Sequence, residues 1–86
     1  MKIKDGYIIR NIADNWIVVP LGEKVVEFNG LLSLNETAAF LWRQLENECD
    51  EDDLCSALMS EFEVDELTAK KDIDEFLQTL KDKKLI

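Results

Sequence analysis

Residues 27–42 read EFNGLLSLNETAAFLW. A strand-like run breaks at Gly30, passes through Leu31-Leu32 and enters a helix two or three residues later. Ser33 and Asn35 both carry side chains that cap helix N-termini, and Ser33 with Glu36 has the capping-box spacing. Beyond them Ala38, Leu41, Trp42 and Leu45 recur on one helical face. The stretch holds no histidine, no glycine-rich phosphate loop and no metal-ligand pair. It is a corner from strand to helix, and its purpose has to come from what it positions.

Upstream, the period is that of strands. Residues 7–12, YIIRNI, and 16–20, WIVVP, are rich in β-branched and aromatic types. Ala13-Asp14-Asn15 separates them, with two residues that tolerate turn geometry. Pro20 cannot donate to a ladder and belongs near a strand end. Leu21-Gly22-Glu23-Lys24 reads as a second turn, and residues 25–29, VVEFN, as a third strand closed by Gly30. Tight turns between short runs predict an antiparallel meander. Alternation places Val26 and Phe28 on one face of the third strand, the better candidate for packing on helices, and Val25, Glu27 and Asn29 on the other.

Downstream, the period is helical. A second helix is expected near Asp50, with Leu54, Cys55, Leu58, Met59 and Phe62 as its apolar stripe. A third is expected from Asp65, with Leu67, Ile73, Phe76, Leu77 and Leu80 inward. Leu85-Ile86 is placed to fold back as a last apolar contact. A small sheet cannot cover its own apolar face, whereas amphipathic helices can. The expected fold class is α+β: a three-stranded antiparallel sheet followed by three helices, in one domain spanning residues 1–86.

Composition narrows the function. With 86 residues, 47% of them hydrophobic, and a single proline, the chain suits a small folded domain. No apolar run reaches the roughly 18 residues that span a membrane. The opening MKIKDGY lacks the apolar core of a signal peptide, so a cytoplasmic location is expected. The net charge of −9 opposes binding to nucleic acid, whose affinity rests on Lys and Arg at phosphates. The acidic run ENECDEDD (46–53) reads as a solvated loop and helix start, where negative charge suits the helix dipole. It lacks the glycine and the spaced Glu of a calcium loop. Cys49 and Cys55 are six positions apart, which is neither a redox pair nor half of a zinc site. Without histidine there is no triad and no activated cysteine. The expectation is a binding module, not an enzyme, with no cofactor and no metal.

These features resemble PqqD-like proteins. The phrase is Phe28-Asn29-Gly30, then Leu34-Asn35-Glu36-Thr37-Ala38, then Trp42. The second half is similar as well: DEDDLCSALMSEFEVD resembles the family's second helix, and KKDIDEFLQTLKDKKLI its last, with Asp72-Ile73, a Phe-Leu pair and a closing Leu-Ile. One departure is Ala13-Asp14-Asn15, where many members have a glycine-containing turn. The resemblance implies a winged helix-turn-helix-like fold used as a RiPP recognition element. (RiPPs are ribosomally made, post-translationally modified peptides.) Such a module would bind the leader of a precursor peptide as a strand beside the third strand, against the last helix. It would present the peptide to a modifying enzyme, often a radical S-adenosylmethionine (SAM) protein.

On that resemblance the expected peptide-binding residues are Val25, Val26, Glu27, Phe28 and Asn29 of the third strand. That strand carries one charge and no proline, so it does little to block an open edge. From the last helix come Lys70, Asp74, Leu77 and Lys81, chosen because the lysines bracket an apolar position and would attract an acidic leader. Asp72, Phe76 and Lys83 lie on the opposite flank of that helix. Two other readings compete. A DNA-binding winged-helix regulator would need a basic helix, which is missing. A structural homodimer would pair through the same strand edge.

Overall fold

The computed structural model describes residues 1–28 and 31–86, with Glu27 described by its backbone alone. The chain opens with a hairpin. Strand β1 (Tyr7–Ile12) pairs antiparallel with β2 (Asn15–Pro20), in register from Tyr7 opposite Pro20 to Ile12 opposite Asn15. The two loop residues, Ala13 and Asp14, have φ of 52° and 66°. Positive φ at both positions defines the type I′ turn, whose twist matches that of the flanking strands. Register puts Tyr7, Ile9, Trp16 and Val18 on one face, packed against the hydrophobic core.

The third strand is not where its β-branched residues suggest. Lys24–Glu27 forms a single helical turn, α1, in which Val25 N–H donates to the Gly22 carbonyl and Phe28 N–H to that of Lys24. The strand that completes the sheet is β3 (Ser33–Leu34), antiparallel to β2, with Trp16 opposite Leu34 and Ile17 opposite Ser33. Val18 N–H donates to the Leu32 carbonyl at 3.0 Å and extends the ladder by a residue. Burial decides between the two candidates. Leu34 is 6% exposed beneath the helices, whereas Val26, expected to face them, is 86% exposed. Strand propensity is chiefly a measure of how well a side chain packs on the sheet, and the leucines pack better. Phe28 keeps a packing role from outside the sheet, its ring edge-on to Tyr7 with centroids 5.7 Å apart. Asn29 and Gly30, expected to end the strand, lie outside the described residues.

The expected helices follow. Helix α2 (Glu36–Gln44) is capped by Asn35, whose side-chain oxygen accepts from Ala38 N–H at 2.8 Å; Ser33, the other candidate cap, belongs to β3. Helix α3 (Glu51–Phe62) begins with a reciprocal capping box between Asp50 and Asp53. Helix α4 (Glu66–Asp82) begins at Asp65, which accepts from Thr68 N–H at 2.7 Å. It ends in a Schellman turn: Lys84 has φ of 60°, Lys84 N–H donates to the Lys81 carbonyl and Leu85 N–H to that of Leu80. Leu85 is thereby buried, as its position at the end of an apolar stripe suggests.

Trp42, Leu45, Leu54, Leu58, Ile73, Leu80 and Leu85 form the centre of the core. Each such burial contributes about 1.5–3 kcal/mol. Leu67 departs from its expected place and is 81% exposed. It sits in the first turn of α4, ahead of Ala69 and Ile73, where that helix becomes buried.

Two outcomes follow from these turns and caps. Ala13 bears a Cβ in a left-handed conformation that glycine adopts freely. Ala13→Gly should therefore raise stability by roughly 0.5–1 kcal/mol, read as a higher urea midpoint at unchanged slope. At Asp65 the bonds from Thr68 hold the carboxyl below its ordinary value of 3.8. A folded value below the unfolded one stabilises fully above that ordinary value and is lost as pH falls through the folded one. Acid titration of stability should show Asp65→Asn retaining the cap near neutrality but losing this part of the decline below pH 3.8. An unchanged acid profile in Asp65→Asn would remove Asp65 from the account.

Candidate functional site

Among the described residues, the sheet order β1-β2-β3 gives β3 one strand neighbour. In an antiparallel ladder, alternate residues send both backbone groups to the same side. Leu32 bonds to Val18 on β2, so Leu34, two residues on, points its groups the same way. The N–H and C=O of Ser33, between them, point to the open side. Side chains alternate in the other sense: Leu32 and Leu34 turn toward the helices, and Leu31 and Ser33 are exposed. The edge thus offers a peptide-bond donor and acceptor above a buried apolar support.

A cleft of about 220 Å³ begins where this strand ends. Asn35, Thr37, Ala38 and Leu41 form one side of it, from the start of α2. The other side is α4, through Asp72, Glu75, Phe76 and Thr79. Leu41 and Phe76 are buried, Ala38, Asp72 and Thr79 are half-buried, and Glu75 is exposed. The cleft is therefore lined mainly by polar groups, with a small apolar floor where Ala38, Leu41 and Phe76 meet. The cap fixes one side, because Asn35 sets the direction in which α2 leaves the strand. The register of α4 on the core fixes the other, with Ile73, Phe76, Leu77 and Leu80 turned inward.

Several residues expected to bind peptide are placed elsewhere. Val25 and Val26 are exposed on α1 and cannot offer a strand edge, since their backbone lies in a helical turn. Phe28 packs on Tyr7. The Glu27 side chain and Asn29 lie outside what is described. On α4, Leu77 is 2% exposed and belongs to the core. Lys70 and Asp74 line a second cleft, against Glu51, Asp52 and Cys55 of α3. Lys70 is also ion-paired with Glu66 at 2.9 Å, which raises its pKa and ties it to its own helix. Lys81 is exposed in the last turn. The flank of α4 that shares a cleft with the end of β3 is the opposite one, with Asp72 and Phe76.

The edge strand that sequence reasoning did not expect is Ser33–Leu34, extended by Leu32. Its signal was present: Leu32 and Leu34 alternate with an exposed position, directly before an N-cap. The flanking Val25-Val26 pair concealed it by matching strand propensity more closely.

No curated protein sequence matches the chain. Solved structures do. The chain is similar to TbiB1 in complex with the TbiA(beta) leader peptide, with a TM-score of 0.75 and 26% identity, over 99% of this chain and 93% of that one. It shares its fold with lasso peptide synthetase B1 complexed with the leader peptide, with a TM-score of 0.71 and 22% identity, over 94% and 89% of the two chains. Residues 15–86 match the family of coenzyme PQQ synthesis protein D, so the chain belongs to the PqqD family.

Proposed function

We propose that this chain is a non-catalytic module that binds the leader of a ribosomal precursor peptide by strand addition at β3. The observation that carries the reading is the outward backbone of Ser33, set beside a cleft that α4 closes. An added strand gains main-chain bonds from the edge and specificity from side-chain pockets next to it. Family membership supports this reading, as does the likeness to TbiB1, which was solved with a leader peptide bound.

The proposed contact surface is Leu31 and Ser33 at the edge, with Ala38, Leu41 and Phe76 in the cleft. Val25, Val26 and Phe28 precede the edge strand and would contribute side-chain contacts to the peptide, not ladder bonds. Lys81 is kept as an outlying contact only. Residues 1–86 would act as one domain in the cytoplasm, presenting the rest of the precursor to a modifying enzyme. The resemblance favours a radical SAM protein as that enzyme. Pairing of β3 with the β3 of a second copy would use the same backbone groups, so a homodimer would compete with the leader.

Ser33→Pro tests the edge directly. Proline removes an N–H that faces away from β2 and is tolerated on the outer side of an edge strand. The variant should keep its helical circular dichroism and lose roughly tenfold or more in affinity for the leader of a precursor peptide encoded beside this chain. Ser33→Ala should bind like the parent. Backbone NMR of the parent should show shifts at residues 31–34 and at Phe76 as that leader is added. Full affinity in folded Ser33→Pro, with shifts elsewhere, would overturn strand addition at β3.

A further inference from the structure

We infer that Asp72 and Glu75 make this groove selective for a lysine or arginine side chain of the bound segment. The inference rests on the strand-addition reading and specifies the chemistry of its peptide. Three features of the cleft carry it.

The first is shape. Leu41, Ala38 and Phe76 line the cleft and Asp72 and Glu75 stand at its rim. Lysine and arginine have that same division, an apolar stem below a charged head. An aliphatic side chain would bring no opposite charge to the carboxylates. An acidic one would meet like charge.

The second is that the two carboxylates are not ion-paired with a described residue, Lys71 included, although it adjoins Asp72 and lies one helical turn before Glu75. Among the described residues no lysine or arginine lines the cleft. The Thr79 hydroxyl is committed to the Glu75 backbone carbonyl at 3.1 Å, not to a carboxylate. Lys83 and Lys84, at the end of the same helix, line a separate pocket with Lys4, Tyr7 and Lys24. Lys70 is held by Glu66 on the other flank. Attraction at the rim is reinforced by the net charge of −9, which steers cationic segments toward the protein.

The third is position. The cleft starts at Asn35, the residue after Leu34 of β3. Residues on an extended strand advance about 3.3 Å each, with alternate side chains on one face. A strand seated on Ser33 therefore presents a side chain to the cleft within a residue or two of its ladder bonds. This fixes the spacing between the basic residue and the segment that pairs.

The test uses a displayed library of short random peptides, selected on the intact chain in about 150 mM salt. The selected peptides should carry lysine or arginine at one fixed distance from an apolar extended segment. Replacing that residue with methionine in the best binder should weaken binding roughly tenfold or more. The double variant Asp72→Asn with Glu75→Gln, which is close in shape to the parent, should lose a similar factor. It should also bind the lysine and methionine peptides alike, a coupling that damage to the fold would not produce.

Other outcomes overturn the inference in distinguishable ways. Selected peptides with no basic residue, or full affinity in the double variant, would overturn the selectivity while Ser33→Pro still weakens binding as expected. Peptides that bind Ser33→Pro as well as the parent would overturn strand addition, and the selectivity with it. A library that yields no binder would do the same.

Discussion

The structure depends on the pairing of a very short strand, Ser33–Leu34, with the second strand of the hairpin. Leu34 and Leu32 turn inward there and give the sheet its contact with the helices. Without this pairing the hairpin would be a two-stranded ribbon, which is marginal in water. The same pairing sets where α2 begins, because Asn35 follows Leu34 at once and caps the helix. The direction of α2 in turn sets one wall of the cleft. One register thus determines the sheet's completeness, the position of its open edge and the groove beside it.

How much of this was legible in the sequence varies by kind of signal. The hairpin was legible, and so were the helices, because Asn35, Asp50 and Asp65 are caps whose chemistry acts within four residues. The inward stripes of Leu54, Leu58, Ile73 and Leu80 were legible for the same reason, since helical period is local. The third strand was not. Val25-Val26 and Leu31–Leu34 both look like strands, and choosing between them requires knowing which leaves less apolar surface in water. That comparison involves α2, α3 and α4 together. Which flank of α4 shares a cleft with α2 was not legible either. A helical wheel places Lys70 and Asp72 on opposite sides of a stripe, but only tertiary packing decides which side faces the start of α2 and which faces α3.

The long connection from Pro20 to Leu31 follows from the same register. With Trp16 opposite Leu34, the chain must travel beyond the end of β2 and return before it can pair. Part of the excess is taken up as the single turn of α1, whose backbone bonds are made locally. Its valines are left exposed, as expected of residues that serve as a connection.

The brevity of the edge strand has two consequences that act together. A short edge resists unwanted pairing between copies, which long flat edges invite. It also limits what a bound strand gains from the ladder. The outward N–H and C=O of Ser33 supply two bonds, and at about 1 kcal/mol each they amount to about 2 kcal/mol. Micromolar binding requires about 8 kcal/mol. Most of the affinity of any added strand must therefore come from its side chains, which would meet exposed Leu31 at the edge and, in the cleft, polar groups over a small apolar floor of Ala38, Leu41 and Phe76. The ladder would align the peptide while the cleft holds it. A module built this way could discriminate among peptides that all form strands equally well, because the backbone groups common to every sequence contribute the smaller share.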